Sequence, residues 1–396
     1  MNQKEKKILG VTAASHSLVH LYEGILPPLI PLLLIEFSTD YFHLGVVVSV
    51  FSYAFGLGAL PAGYLSDKAG ANRLVAIFLF GAGILSVFIW SVDSLVAYGV
   101  LMGLIGLFCS LYHPAANTLI SNAFQQKGSA FAINGIAGSL GIALVPLVSA
   151  WMGALMGWKS PYIVFGICGV AVGWFSLTLP KQTMLPIKKT RLENGKDPKK
   201  RVSYFNLIVY YFSVCSLGIT YRGTMTFLPA YLGQNVHMEF LNLGSVAIGG
   251  TFATVALVFG GIGQLMAGHL VDRYKPEKIY FTTTIIGTTW VFLMAVTTNL
   301  LLVVSAIFFA FFYFATQPVQ NYLVSRYLPA HRRGLGFGIQ FFLAFAVGST
   351  AAAASGYIAD RFGLVSIFHA MAACFLFSSL LATVLLARTH RKFSGR

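Results

Sequence analysis

Two residues of opposite charge stand inside stretches of sequence that are otherwise apolar. Glu23, in Leu21-Tyr22-Glu23-Gly24, is the only acid inside an apolar span, and Arg222, in Thr220-Tyr221-Arg222-Gly223, is the only arginine inside one. An isolated charge at bilayer depth costs between about 2.5 and 17 kcal/mol, so such residues normally face a partner or a watery cavity. A carboxylate that exchanges a proton and a guanidinium that binds an anion, at matching places, predict one shared site.

Two histidines precede Glu23 at helical spacing. His16, His20 and Glu23 stand at positions i, i+4 and i+7, so they share one stripe of a helix. A histidine beside a carboxylate suits the uptake and release of a proton. The same spacing suits metal ligands and leaves divalent-metal transport as an alternative, but a zinc or iron site needs ligands from other helices. We assign no metal ligands from this pattern.

Composition decides the class of protein. The 396 residues are 57% hydrophobic and 10% charged, with a mean hydropathy of +0.75, which is typical of an integral membrane protein. The net charge of +15 does not indicate nucleic-acid binding, because no solvated basic domain is left over. No phosphate-binding loop or nucleophile elbow is present, so we predict no enzyme activity and no cofactor, with a proton gradient as the energy source.

The basic residues give the orientation in the membrane. Of the 27 lysines and arginines, 24 fall at the termini and in the loops of one side. This asymmetry predicts that both termini and the long central loop are cytoplasmic. The first apolar span runs well past the length of a signal peptide core, so we interpret it as a retained helix. We expect a multi-pass protein of the bacterial cytoplasmic (inner) membrane, in contact with the lipid bilayer and functional as a monomer.

Hydropathy predicts twelve membrane-spanning helices and two halves. The halves are residues 1–180 and 204–396, joined by a lysine-rich cytoplasmic linker at 181–203. Several spans exceed the roughly 20 residues needed to cross a bilayer. The predicted spans are 8–36, 43–66, 73–92, 95–121, 128–156, 160–180, 204–233, 241–271, 277–297, 299–325, 334–359 and 364–387.

Internal repetition relates the two halves. A segment that begins at Gly63 and reaches Asp67 and Lys68 recurs 205 residues later, from Gly268 to Asp272 and Arg273. The stretch 113–121, which begins His-Pro, matches 317–325 at an offset of 204, and the two segments with Glu23 and Arg222 lie 199 apart. Three matches in order at nearly one offset predict an all-α protein of two pseudo-symmetric six-helix bundles.

The first repeated segment resembles a family signature. The run from Gly63 to Arg73, Gly-Tyr-Leu-Ser-Asp-Lys-Ala-Gly-Ala-Asn-Arg, is similar to the signature between helices 2 and 3 of the major facilitator superfamily. The resemblance implies two bundles that rock about a central cavity and open it to each side in turn. It also implies a cytoplasmic gate, with Asp67 held by helix N-termini or basic residues. The gate residues are Gly63, Asp67, Lys68, Gly70, Arg73, Asp272 and Arg273.

A narrower resemblance is to the fosmidomycin-resistance type of drug exporter in that superfamily. It is carried by the run from His16 to Pro31, by His113-Pro114 and by the run from Tyr221 to Leu232. The sequence departs from that type at Val19-His20, where such exporters carry Asn-Asp, and at Glu23, where they carry glutamine. By this resemblance we expect efflux of a small amphipathic or anionic compound.

The implied fold places helices 1, 4, 7 and 10 around the cavity. The candidate substrate and proton site is therefore His16, His20, Tyr22, Glu23, His113, Asn117, Tyr221, Arg222, Gln317 and Asn321. In one interpretation Arg222 attracts the substrate and Glu23, helped by a histidine, moves the proton. In the other, Glu23 and Arg222 form a permanent ion pair and the histidines make ordinary interhelical hydrogen bonds worth about 0.6 kcal/mol each.

We predict a proton-coupled secondary transporter that moves a small amphipathic or anionic molecule by alternating access, with antiport and efflux expected. Alternatives are a proton-coupled uptake symporter, a divalent-metal transporter that uses His16, His20 and Glu23, and, in another class, a lipid flippase or a receptor without transport. A second resemblance to the helix 2 signature, from Gly356 through Asp360 to Gly363, predicts a latch on the outer face or a simple turn.

Overall fold

The structure is a computed structural model that describes residues 1–124, 127–179, 204–237, 243–328 and 333–394. Every regular element in these ranges is helical. The predicted linker at 181–203 lies outside the described residues. By contacts the chain divides into two units, Met1–Thr39 with Val46–Lys196, and Asp40–Gly45 with Asp197–Arg396.

Eight α-helices account for the described part of the first half. Their bounds are α1 Gln3–Gly24, α2 Leu26–Glu36, α3 Tyr41–Ala69, α4 Ala71–Phe88, α5 Leu95–Cys109, α6 Tyr112–Ala123, α7 Lys127–Met156 and α8 Ser160–Ser176. A short 3-10 turn, Ile89–Ser91, extends α4.

Seven α-helices account for the described part of the second half. They are α9 Tyr204–Asn235, α10 Ser245–Val271, α11 Pro276–Val296, α12 Asn299–Tyr327, α13 Arg333–Phe341, α14 Gly348–Phe362 and α15 Leu364–Ser394. A π-helical stretch, Phe342–Val347, joins α13 to α14. In the described residues, eleven helices or helix pairs are long and apolar enough to cross a membrane, and α8 is a shorter apolar helix. The all-helical fold class is confirmed.

Three predicted spans are interrupted, and proline explains two of the interruptions. The span 8–36 consists of α1 and α2, and α2 carries prolines at its first positions. The span 95–121 consists of α5 and α6, with Pro114 in the first turn of α6. A proline has no backbone N–H to donate, so it favours the start of a helix, although Pro61, Pro146, Pro229 and Pro318 lie inside continuous helices of this protein. The π-helical stretch within 334–359 has no such marker in the sequence.

Close backbone approach repeats in both units. A Cβ at Gly58 of α3 would meet the Leu107 and Ser110 side chains in and after α5, and a Cβ at Gly263 of α10 would meet the backbone oxygen of Phe311 in α12. The two glycines are 205 residues apart, and Leu107 and Phe311 are 204 apart. The internal repeat therefore recurs in three dimensions as the same glycine seam between the second and fourth spans of each unit.

The second signature-like segment has a defined contact within the second unit. The Asp360 carboxylate accepts hydrogen bonds from the backbone N–H groups of Tyr41, at 3.0 Å, and Phe42, at 2.8 Å. Since these are the first N–H groups of α3, Asp360 satisfies donors that the helix itself leaves unpaired. Asp360 therefore caps the start of α3. The segment does more than form the simple turn that was one of its two predicted roles.

Candidate functional site

Three imidazoles form a cluster inside the first unit. His16 and His20 lie one turn apart on α1, with ring centroids 5.1 Å apart, and His113 on α6 lies 5.2 Å from His16 and 5.7 Å from His20. One nitrogen atom from each ring lies within 4.8 Å of the other two. The segment that begins at His113 and the stripe of His16 and His20 are thus neighbours. The sequence connected them only through the implied fold.

Asn134 on α7 fixes the orientation of His16. The Nδ1 atom of His16 lies 2.7 Å from the backbone oxygen of Asn134 and 3.2 Å from its side-chain nitrogen. Because a carbonyl oxygen only accepts, the shorter contact assigns the proton to Nδ1. The Tyr112 hydroxyl lies 2.8 Å from the backbone oxygen of Thr12 and 3.0 Å from the Asn134 side-chain oxygen, so these two acceptors share its one proton. Asn134 is buried, and the sequence analysis missed it because a lone asparagine in a glycine-rich helix gives no spacing signal.

His20 is hydrogen-bonded to Glu23. The His20 Nδ1 atom lies 3.1 Å from a carboxylate oxygen of Glu23, one turn further along α1. The two side chains keep 15% and 16% of their surface exposed. An imidazole N–H at this distance donates to a carboxylate oxygen, and both side chains are partly exposed.

Two other predicted residues of this unit lie elsewhere. Tyr22 is buried, and its hydroxyl donates to the backbone oxygen of Phe165 on α8, at 2.9 Å. Asn117 is exposed on α6. The structure therefore brings together His16, His20, Glu23 and His113, while Tyr22 packs α1 against α8.

Arg222 is buried in the second unit. It lies in the middle of α9 with 8% of its surface exposed. Its guanidinium carbon lies 5.8 Å from the ring centroid of Tyr221, and that ring stacks on Tyr313 of α12, with centroids 5.2 Å apart. Aromatic faces stabilise a cation in an apolar setting, so this arrangement supports a charged Arg222.

One of the two predicted amides of α12, Asn321, belongs to a polar network of the second unit. Asn321 accepts a hydrogen bond from the side-chain nitrogen of Gln340, at 3.0 Å, and Gln340 accepts from the Tyr210 hydroxyl, at 2.6 Å. Gln317 is half-buried and Asn321 is exposed. Gln340 was missed, although a glutamine within the eleventh predicted span is a signal that could have found it.

The gate residues lie at helix ends. Gly70 begins α4 with φ of +90°, a left-handed conformation that favours glycine, which explains the second glycine of the signature. Lys68 lies over the ring of Tyr64, 4.5 Å from its centroid. The Asp67 side chain lies outside what the structure describes. The remaining predicted gate positions are Gly63 in α3 and the exposed Arg73, Asp272 and Arg273.

A buried ion pair in the second unit was also missed. Glu277, 1% exposed, accepts from the Arg326 guanidinium at 3.0 Å and from the Tyr327 hydroxyl at 3.2 Å. The pair ties the start of α11 to the end of α12. The two residues stand 49 positions apart at the ends of predicted spans, where charges are expected, so no local pattern pointed to their contact.

Long apolar helices in two units, with charged residues held at bilayer depth, define a polytopic membrane transport protein. The sequence pattern of the Major Facilitator Superfamily matches residues 12–261 and 210–395, and the chain belongs to that superfamily. It is a secondary transporter and not an enzyme.

Two curated relatives and one solved structure give the context. The chain is 23% identical over 254 residues to a probable L-galactonate transporter of Escherichia coli (strain K12), covering 60% of this chain and 55% of that protein. It is 23% identical over 396 residues to a D-galactonate transporter of Escherichia coli O6:H1, covering 90% of this chain and 89% of that protein. The chain thus spans about half the length of the first relative and most of the second.

The structure of a D-xylose-proton symporter matches with a TM-score of 0.79 at 14% identity, covering 96% of each chain, which shows the fold. The predicted superfamily and fold are confirmed. The narrower resemblance to fosmidomycin-resistance exporters is not confirmed, because the relatives named above are galactonate transporters.

Proposed function

We propose that this transporter moves small organic anions of the sugar-acid class, with proton coupling. The observation that carries the proposal is Arg222, a cation buried in the middle of an apolar helix. The two relatives named for galactonate, a hexose acid with one carboxylate, support the same substrate class.

Arg222 suits recognition of a carboxylate. A guanidinium presents a planar fork of N–H donors that matches the two oxygens of a carboxylate, and such charge-assisted pairs are roughly twice as strong as neutral hydrogen bonds. The apolar helix around Arg222 lowers the local dielectric, which strengthens the attraction. Next to Arg222, the ring of Tyr221 stacks on the buried Tyr313, and an aromatic ring of this kind can pack against the carbon chain of a sugar acid.

Glu23 and His20 supply the proton-binding pair of the first unit. Their hydrogen bond and partial exposure support uptake of one proton from water and its release again. If an anion binds best when this pair is protonated, the gradient of protons drives the anion.

The direction of transport stays a prediction. The sequence analysis predicts efflux by antiport from the resemblance to drug exporters, whereas uptake by symport is its alternative. The proposed location is the bacterial cytoplasmic membrane with both termini cytoplasmic, supported by the lysine and arginine asymmetry.

Transport by purified protein in sealed vesicles tests the proposal. We expect labelled D-galactonate to accumulate against its gradient when a pH gradient is imposed, and D-galactose, an uncharged six-carbon sugar that is mainly a closed ring, not to accumulate. The polarity of the effective pH gradient distinguishes symport from antiport. Equal movement of galactose and galactonate would overturn the anion proposal, and galactonate binding without any flux would favour the receptor alternative.

A further inference from the structure

We propose that His16, His20 and His113 bind one divalent transition-metal ion of the zinc type within the first unit. Imidazole nitrogens are preferred ligands of zinc, copper and nickel, and three of them with an open position form a common zinc geometry. The sequence analysis found two of these ligands on one helix and lacked a ligand from another. His113 on α6 supplies it.

The spacing of the rings fits a metal ion. Zinc–nitrogen bonds of 2.0–2.1 Å in a tetrahedral arrangement place neighbouring ligand nitrogens about 3.4 Å apart. The nitrogens of the three histidines lie within 4.8 Å of one another, so closure on an ion requires movement of about 1.5 Å or less.

In two of the three histidines, the Nδ1 atom already makes a hydrogen bond. His16 donates from Nδ1 to the backbone oxygen of Asn134, and the Nδ1 of His20 faces the carboxylate of Glu23. In metal sites a ligating histidine almost always donates its other N–H to a carbonyl or carboxylate, which fixes the tautomer and raises the basicity of the ligating nitrogen. Both histidines therefore present Nε2 with a free lone pair, which is the arrangement that a metal requires.

Gly138 on α7 provides the seat of His16. A Cβ at this position would stand 2.5, 2.5 and 2.7 Å from Cε1, Nε2 and Cδ2 of His16. The nearly equal distances place the glycine under the face of the ring, so the edge that carries Nε2 is not covered by it. Any larger residue at position 138 must push the ring away from the cluster.

Charge and access favour a soft divalent ion over Mg²⁺ or Ca²⁺. The inner ligands are neutral nitrogens, whereas Mg²⁺ and Ca²⁺ require oxygen ligands. The carboxylate of Glu23, hydrogen-bonded to His20, lies beside the ligands and offsets part of the positive charge of the ion. His20 and Glu23 are both partly exposed, which gives the ion a route from water and leaves a fourth position for a water molecule.

Zn²⁺ binding to the full-length protein, purified with an affinity tag that contains no histidine, tests the site. We expect one equivalent of Zn²⁺ by chelator competition, no displacement by excess Mg²⁺ or Ca²⁺, and affinity lowered about 100-fold or more in His113→Ala. The exposed His369 lies on α15 of the second unit, and His369→Ala should leave the affinity unchanged. Equal affinity of His113→Ala and the parent protein would overturn the proposal.

A second pair of variants leaves every ligand in place. Gly138→Ala should weaken Zn²⁺ binding about 10- to 100-fold, the range seen when support of a ligand is lost. Gly135→Ala, three positions earlier on α7 where a Cβ would meet nothing within 4 Å, should leave it unchanged. A Gly138→Ala protein that binds as tightly as Gly135→Ala would contradict the assigned geometry.

X-ray absorption of the unmutated protein removes any dependence on variants that fail to fold. We expect nitrogen neighbours at about 2.0–2.1 Å with imidazole scattering, and a sulfur shell at about 2.3 Å would overturn the site. Because all these measurements report binding and not galactonate transport, their outcome is independent of the proposed function.

Discussion

The two units contain the same short segment and use it for opposite chemistry. Gly24 at its end in α1 faces Val145 of α7, and Gly223 in α9 faces Ser355 of α14 and Met371 of α15, so both glycines allow close contact with the fifth span of their own unit. The residues one position earlier are Glu23, bonded to His20, and Arg222, buried beside aromatic rings. The repeat thus keeps the backbone contact and changes the charge.

A charge difference between matching positions of the two units also occurs at the helix ends. Glu277 and Arg326 form the buried ion pair of the second unit. The residues 205 and 204 positions earlier are Asn72 and Asn122, which carry no charge. The signature charges repeat between the units, as Asp67 with Asp272 and Lys68 with Arg273, whereas the charges at Glu23, Arg222 and the Glu277–Arg326 pair differ between them. Charges that differ between otherwise repeated units are the best candidates for function, because the fold alone does not require them.

The largest expected effect comes from removing the acidic charge of the first unit, and it is on proton-driven transport. Glu23→Gln keeps the size and a hydrogen-bonding group but removes the acid, so proton-driven accumulation of galactonate should fall to the level of equilibration. Exchange of labelled for unlabelled galactonate, which needs no net proton movement, should continue. Flux in vesicles with a chelator present measures both. Undiminished uphill transport by Glu23→Gln would assign coupling to another group.

The next-largest effect is on galactonate binding, through the charge of the second unit. Arg222→Gln should weaken galactonate binding by about 30- to 150-fold, which corresponds to the 2–3 kcal/mol of hydrogen bonds to a charged group. Arg222→Lys keeps the charge without the planar fork and should lose less. Displacement of labelled galactonate, with galactose as the uncharged solute, provides the measurement. An equal loss of affinity for galactonate and for galactose would indicate a structural role for Arg222.

The sequence predicted helices better than contacts, for a physical reason. Apolar length is a local property, so the spans could be placed from hydropathy alone, and Pro114 even marked the start of α6. That His113 would lie near His16 and His20 was expected only through the helix arrangement that the family resemblance implies. Asn134 and the pair Glu277–Arg326 could not be predicted, since their roles depend on which helices pack side by side. The π-helical stretch Phe342–Val347 also lacks any sequence marker.

A smaller effect concerns the ion pair that only one unit has. Glu277→Asn leaves Arg326 without its acid and should destabilise the protein by about 3 kcal/mol, at the low end for a broken buried pair because Arg326 is 33% exposed. Adding Arg326→Asn reproduces the residues of the first unit and should recover most of this loss, because the uncompensated charge is gone. Thermal unfolding in detergent measures all three proteins. If the double variant is no more stable than Glu277→Asn, the asparagines of the first unit do not substitute for the pair.

The smallest effect concerns the two signature-like segments. Gly70 and Gly363 both have positive φ, of +90° and +81°, and each follows an acid by three positions, Asp67 and Asp360. Because Asp360 caps the first N–H groups of α3, Asp360→Ala should cost about 1 kcal/mol in thermal unfolding, as for other helix caps. Asp360→Asn keeps an acceptor and should cost less, and a larger cost for Asn than for Ala would remove the capping role.

Asp40, the second acid at this helix start, adds a dependence on pH. Partial burial raises the pKa of Asp40, but hydrogen bonds from the backbone N–H and the ring of His43 lower it more, so the pKa lies below its ordinary value. A lowered pKa in the folded state means that Asp40 stabilises the protein above the ordinary carboxyl pKa of about 3.9, and that this contribution is lost as the pH falls through the lowered value. The difference in unfolding temperature between the parent protein and Asp40→Asn should therefore be constant from neutral pH to about pH 5 and shrink on further acidification. A difference that grows towards acid pH would mean that the pKa of Asp40 is raised and that His43 does not hold the carboxylate.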